Sequence, residues 1–409
     1  MKIKDLPVNI HIRLWGSFVN RIASSAVWPF MALYLTEMMN KTFAGTFLSL
    51  TVLLSFVLNI IAGYVCDMVP RKKLILIATY SEALFIFFMA LSIYQSWIVL
   101  FLCCFIAILT VGQFRRPALR AIVQDAATSE NKKLVYQLDY WLINLSLALG
   151  AAIGGLFYHD HQLALFILLG LTTLIIAIVY TIFLEDHLTV LREKVHKNVI
   201  KDLLHSYQLV LKNKQYVIFV LGSICIMYAE LCTSSYIAVR LSETFKTIHI
   251  FGFEMTGVRM FSTINIINTL MVVTCTFAIG KLANKMKVRH AMLLGLIVYG
   301  IGYTVLTSAN HILLILVAMV IATLGELFYA PIKNAEELDL IPADQRGAYG
   351  AFSSLGFNSS DLLSKFAIIL GAYFNPYAMS IVMAIIVFIG SVCYMSSLYG
   401  KSNIKSEPK

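Results

Sequence analysis

Residues 44–73 read AGTFLSLTVLLSFVLNIIAGYVCDMVPRKK. From Ala44 to Cys66 there is no charged side chain; then come Asp67 and the basic triplet Arg71-Lys72-Lys73. A helix rises about 1.5 Å per residue, so about 20 apolar residues cross the hydrocarbon core of a bilayer. The stretch therefore reads as one membrane crossing. The triplet marks the side on which it ends, because Lys and Arg collect in short cytoplasmic loops.

Runs of the same kind recur on both sides. They fall near 14–36, 44–66, 74–94, 98–123, 134–157 and 162–184, then near 216–240, 257–280, 290–308, 311–331, 348–371 and 377–399. The reading is an all-α membrane protein with twelve transmembrane helices in two six-helix bundles. A β-barrel is excluded because the runs are continuous and do not alternate. Composition agrees: of 409 residues 59% are hydrophobic and 13% charged, with a mean hydropathy of +0.80, whereas soluble domains carry about 25% charged residues. The net charge of +10 sits between apolar runs and forms no patch, so nucleic acid is excluded as a partner. The seven cysteines are odd in number, lie mostly inside apolar runs and lack metal-ligand spacing, so neither a disulfide scaffold nor a metal site is expected. The first run is too long for a signal-peptide core and carries Asn20, Arg21 and Pro29, so no cleavable leader is expected.

With the N-terminus inside, 22 of the 32 Lys and Arg residues fall on the cytoplasmic side and only Lys41, Arg240 and Lys246 on the other. Both termini are thus expected in the cytoplasm. The domains are read as 1–184, a linker over 185–215, and 216–409. In the linker Leu188, Leu191, Val195, Val199, Leu203, Tyr207 and Leu211 recur at helical spacing among basic residues. That pattern suits either an amphipathic helix on the inner leaflet or a solvated linker helix. The other connections are too short for a soluble catalytic domain.

The halves repeat each other. Gly63-Tyr-Val-Cys-Asp67 before Arg71 is echoed by Gly280-Lys-Leu-Ala-Asn284 before Arg289. Pro117 precedes Asp125 by eight residues and Lys132 by fifteen; Pro331 precedes Asp339 by eight and Arg346 by fifteen. A duplicated six-helix unit is the architecture of a carrier that alternates access around a midplane site, and neither a channel nor a receptor requires it. No phosphate-cradling Gly-Lys-Ser/Thr loop is present, so the drive is an ion gradient and no cofactor is implied.

The 63–73 loop, a glycine, three residues, an aspartate and a basic cluster, resembles the signature of the major facilitator superfamily. Met68 and Pro70 depart from it, standing where Arg and Gly are common. In the fifth span Gly150-Ala-Ala-Ile-Gly154-Gly155 resembles the glycine motif of the drug:proton antiporter branch, with Ala151 in place of the customary proline. On spacing alone, Gly150, Gly154 and Gly155 are small residues that let helices approach closely. Leu138-Asp-Tyr-Trp141, Asn144-Leu-Ser146, Phe245-Lys-Thr-Ile248, Gly252-Phe-Glu254 and Leu324-Gly-Glu326 resemble multidrug transporters of that branch along nearly the whole chain. The resemblance implies proton coupling at Asp125, Asp139 and Glu326, and with it multidrug efflux and antibiotic resistance. Two further acidic positions do not carry over: the last span has none, and Ser234 stands in the seventh.

Charges inside a bilayer are costly and mark functional positions. The spans hold Glu82, Asp139, Glu230, Glu326 and Asp361 with Arg21, Arg115, Arg116, Arg259 and Lys365. Glu326, a turn before Pro331, can exchange a proton for a cation, or serve as a structural partner of an arginine. Asp139 suits proton exit, bundle contact or substrate binding; Asp125 suits a latch or a proton carrier. Asp361 and Lys365, four residues apart, suit a structural pair. Substrate contact is assigned to Glu326, Glu230, Arg21, Arg115, Arg116, Tyr140 and Trp141, and gating to Asp67 with Arg71 and Lys72. Arginines do not lose their protons, so Arg21, Arg115 and Arg116 need acids or an anionic group beside them. The leading expectation is proton-coupled export of amphipathic, cationic drugs from a bacterial cell, by a monomer in contact with membrane lipids. The alternatives are a dedicated exporter of an anionic lipid, peptide or siderophore, and a non-transporting membrane sensor.

Overall fold

The computed structural model describes residues 8–126, 132–158, 160–184, 207–250, 253–342 and 345–400. Among the described residues the chain forms twelve long helical stretches. The first, α1 (8–38), is broken: Val8–His11 leads through a π-helical turn at Ile12–Gly16 to Ser17–Val27, a 3-10 turn at Trp28–Phe30 and Met31–Met38. The 3-10 turn carries Pro29, which has no amide proton to donate to the helix ladder. There follow α2 (Lys41–Met68), α3 (Arg71–Gln95), α4 (Ile98–Ala126), α5 (Lys132–Phe157) and α6 (Gln162–Phe183). The second series is α7 (214–244, with a π-helical turn at Thr233–Ile237), α8 (Gly257–Ala283), α9 (Val288–Ser308), α10 (Ile312–Asp339), α11 (Arg346–Tyr373) and α12 (Pro376–Tyr399). Between α7 and α8 the strands β1 (Ile248–Ile250) and β2 (Phe253–Met255) pair antiparallel, with His249 opposite Glu254.

Every expected run lies on one of these helices. The largest departure is α10, which passes through Pro331 and continues eight residues to Asp339. Among the described residues nine helices are long and apolar enough to cross a membrane. The other three carry polar interruptions: α1 is broken and holds Asn20 and Arg21, α5 is apolar only over Trp141–Phe157, and α11 holds Asp361 and Lys365. Of the expected linker, 185–215, residues 185–206 lie outside the described residues, and 207–211, which carry Tyr207 and Leu211, are helical.

Two compact units result. One comprises the described residues of 1–31 and 53–197, the other those of 32–52 and 198–409. In the first, α3 packs on α4 and α6 while α1 packs on α5 and α6; in the second, α9 packs on α10 and α12 while α7 packs on α11 and α12. These are the same pairings shifted by six helices, so the repeat read in the loops is also a repeat of packing. The first core gathers Leu74 and Ile75 of α3, Ala118 of α4 and Ile176 and Tyr180 of α6. Where α5 crosses α1, a Cβ on Gly150 would stand 2.4 Å from Ser25 Cβ, and one on Gly154 would stand 2.7 Å from the Ala26 carbonyl oxygen. Gly155 is buried beside them.

Candidate functional site

In the second unit, bare backbone sets the geometry. A Cβ on Gly325 of α10 would lie 2.2 Å from the Tyr299 nitrogen of α9, and one on Gly302 would lie 2.4 Å from the Ala322 nitrogen. The two helices touch there, which brings the α9 tyrosines against the α10 segment bearing Glu326. Tyr299 and Tyr303 have ring centroids 4.6 Å apart, and Tyr329 meets Tyr299 edge-on at 5.2 Å. All three rings are buried, and the Tyr299 hydroxyl donates to the Ile226 carbonyl of α7 at 2.9 Å. The Asn268 side-chain amide of α8 donates to Glu326 Oε2 at 3.2 Å and to Thr323 Oγ1 at 3.1 Å.

Glu230 of α7 lies within electrostatic reach of Glu326. Glu326 is half-buried and Glu230 exposed. Glu230 stands three residues before the π-helical turn, a distortion frequent at functional sites. Two carboxylates at close quarters repel each other, and either a proton or a cation relieves the repulsion. The tyrosine rings beside them are buried and packed on one another.

The first unit holds a different site, a cavity of about 230 Å³ walled by α1, α4 and α6. Arg21, Arg115 and Arg116 all line it, together with Asn20, Ser24 and Tyr180. Arg115 forms an ion pair with Glu82 of α3, whose Oε1 accepts from Arg115 Nη2 at 3.1 Å. Arg21 Nη1 stands 3.8 Å from Asp139 Oδ1 of α5. Asn20 accepts a hydrogen bond from Thr173 of α6 at 3.1 Å.

The expected residues thus divide between two clusters, the acids Glu326 and Glu230 in one and the three arginines with Asp139 in the other. Trp141 is exposed on α5. Asp361 and Lys365 pair at 3.2 Å, as their spacing requires. Arg71 and Lys72 open α3. The side chains of Asp67, Asp125 and Tyr140 lie outside the described residues. Sequence reasoning missed Asn268, Thr323 and the three tyrosines, which are neutral and ordinary in membrane helices. It also missed Lys41, whose Nζ meets Glu243 at 2.7 Å beside a cavity of about 740 Å³ lined by Thr36, Asn40, Phe43 and Ala372.

Helical repeats of this packing with charged clusters inside the units define a polytopic membrane transporter. The Major Facilitator Superfamily model matches residues 14–364, and the chain belongs to that family. It is 23% identical over 391 residues to a Na(+), Li(+), K(+)/H(+) antiporter of Planococcus maritimus, covering 92% of each chain. It is 22% identical over 365 residues to the MFS-type transporter YqjV of Bacillus subtilis, covering 87% of this chain and 84% of that one. Among solved structures, a POT family transporter in complex with 5-aminolevulinic acid superposes with a TM-score of 0.71 at 16% identity, covering 99% of this chain and all of that one. The nucleoside transporter NupG superposes with a TM-score of 0.70 at 11% identity, covering 96% of this chain and all of that one. The protein is a transporter and not an enzyme.

Proposed function

We propose that the chain is a proton-coupled antiporter that exports amphipathic organic cations from a bacterial cytoplasm by alternating access, with both termini inside the cell. The observation that carries this reading is that Glu230 lies within electrostatic reach of Glu326, which Asn268 holds by a hydrogen bond. Proton and cation compete for the same negative charge, and that competition is sufficient for exchange. The motifs shared with the drug:proton antiporter branch, and their likeness to the lactococcal multidrug transporter LmrP, support the choice of cargo. Asp67 with Arg71 and Lys72 would latch one state, Asp125 and Asp139 would relay protons, and Tyr140 and Trp141 would contact cargo.

A second reading, exchange of an inorganic monovalent cation, is favoured by the Planococcus maritimus relative and by the oxygens of Glu326 and Thr323, both of which accept from the Asn268 amide. One assay separates the two. Everted vesicles are acidified inside by respiration, and the gradient is followed with a pH-sensitive dye. Addition of a dicationic dye should discharge the gradient in wild type and leave it intact in Glu326→Gln. Discharge by Na+, Li+ or K+ but by no organic cation would select the second reading. Export that persists on ATP after a protonophore has collapsed the gradient would exclude both.

A further inference from the structure

The hydrogen bonds beside Glu326 run in one direction. The buried Thr323 hydroxyl donates to the Met319 carbonyl oxygen one turn back on α10, at 2.9 Å. A hydroxyl has one proton to give, so Thr323 meets Asn268 of α8 as an acceptor, at 3.1 Å. The same amide nitrogen donates to Glu326 Oε2 at 3.2 Å. Both hydrogens of the amide are spent, one on a buried hydroxyl and one on the carboxyl group. Each donor of this chain is accounted for, and the last one points at an oxygen of Glu326. Such an arrangement suits the ionised carboxylate, which accepts and does not donate.

A carboxyl group that exchanges must also be held when it carries its proton. The titratable groups facing Glu326 are Glu230 of α7, Tyr299 and Tyr303 of α9 and Tyr329 of its own helix. Among the described residues the lysine ion pairs of this unit, Lys41–Glu243, Lys333–Glu337 and Lys365–Asp361, leave it out, and α8 meets it with the neutral Asn268. A lysine or arginine in that place would hold only the charged form, having donors and no acceptor. An amide has both. Turned over about its last side-chain torsion, Asn268 puts its oxygen where its nitrogen stood, against the same two neighbours. That torsion is soft and roughly two-fold, so the turn needs no movement of the backbone. We propose that Asn268 is the positioning residue for the proton on Glu326: its amide holds the carboxylate through N–H, and turns over to accept from the carboxyl O–H when the proton arrives. The step forms one O–H bond at Oε2 and breaks the N–H contact to it, and the Thr323 hydroxyl swings from Met319 to the asparagine oxygen. This role rests on the exchange reading of Glu326.

Infrared difference spectra of the full chain in lipid nanodiscs, acid against alkaline, test the proton and the amide together. Acidification should produce a protonated-carboxyl band that Glu326→Gln lacks. With asparagine isotopically labelled at its side-chain carbonyl, one labelled band should move to lower frequency as the oxygen gains hydroxyl donors. Its absence from Asn268→Asp assigns the band. The movement should also be absent from Glu326→Gln, which keeps Asn268, and should shrink in Thr323→Val. In everted vesicles Asn268→Leu should slow dye-driven discharge of the gradient by about tenfold, the scale of one lost hydrogen bond to a charged group. Asn268→Gln should recover part of that rate, and Asn268→Asp, of the same shape, serves if the leucine variant does not fold. A Glu326 carboxyl band with an asparagine band that stays still or moves to higher frequency would overturn the proposal and leave the exchange reading standing. A carboxyl band untouched by Glu326→Gln would overturn both. Wild-type discharge in Asn268→Leu, or in Asn268→Asp where that is the variant that folds, would overturn the positioning role.

Discussion

Replacing Gly150 by alanine adds a single methyl group at the α1–α5 crossing, and the structure fixes the consequence. The new Cβ would stand 2.4 Å from Ser25 Cβ and 2.6 Å from the Ile22 carbonyl oxygen. Ordinary carbon contacts lie at about 3.5–4.0 Å, so the shortfall exceeds about 1 Å on the carbon side. Alanine is intrinsically the better helix former by about 1 kcal/mol, and that gain is available at any helical glycine. Overpacking of a close-packed site costs about 1–3 kcal/mol. The crossing cannot relax cheaply, because one of the two clashing atoms is backbone. Gly150→Ala is therefore expected to destabilise by up to about 2 kcal/mol, the overpacking cost less the helix-propensity gain. Gly112→Ala, whose Cβ meets nothing within 4 Å, should be neutral or slightly stabilising. Deleting the Ser25 side chain relieves only one contact, so Ser25→Gly should not rescue Gly150→Ala. The assay is the unfolding temperature of purified protein in detergent, read by fluorescence size exclusion after heating. Equal stability of Gly150→Ala and Gly112→Ala would refute the close approach of these helices.

Two further outcomes follow from the ion pairs. Glu82→Gln leaves the half-buried Arg115 without its carboxylate and should cost about 3–5 kcal/mol, the range for breaking a buried pair, while Glu82→Gln with Arg115→Gln should recover much of it in the same heating assay. Lys41→Gln removes a pair that is about one-third exposed, worth at most about 1 kcal/mol, so spin-label distances between Thr42 and Tyr373 should broaden without loss of folding. Exchanging the charges, Lys41→Glu with Glu243→Lys, should restore the narrow distribution.

The twelve helices were legible because a bilayer demands a long uninterrupted run, a signal that no loop or soluble core imitates. The breaks within them were not. The π-helical turns at Ile12–Gly16 and Thr233–Ile237 contain no proline and no distinctive residue, and such turns are set by tertiary packing rather than local sequence. The hairpin of β1 and β2 rests on three residue pairs, too few to give a period. At the candidate sites charge was readable and company was not. Glu326, Glu230 and the arginines stood out because hydrocarbon tolerates few charges. Asn268, Tyr299 and Tyr303 come from other helices, and the α9–α10 contact at Gly325 brings the two tyrosines to the Glu326 segment, whereas Thr323 and Tyr329 stand three residues either side of Glu326 on α10 itself. The Glu82–Arg115 pair spans two helices, unlike Asp361 and Lys365, whose spacing alone makes them neighbours.

The grouping of residues 32–52 with the second unit bears on how this chain can be inherited in pieces. Recombination that swaps six-helix halves at the linker would preserve every helix and still separate partners that belong together. Gly45 is the point of closest fit: a Cβ there would lie 2.5 Å from the Ile369 side chain and 3.0 Å from the Lys365 carbonyl oxygen. Lys41 likewise depends on Glu243 and on the Gly371 carbonyl, which it approaches at 3.5 Å. The ends of α1 and α2 are thus fitted to α7 and α11, although the sequence places them among the first six helices. A hybrid of two relatives would keep its fit by moving residues 32–52 along with the second half, so the natural module boundary of this transporter cuts through two helices and not through a loop.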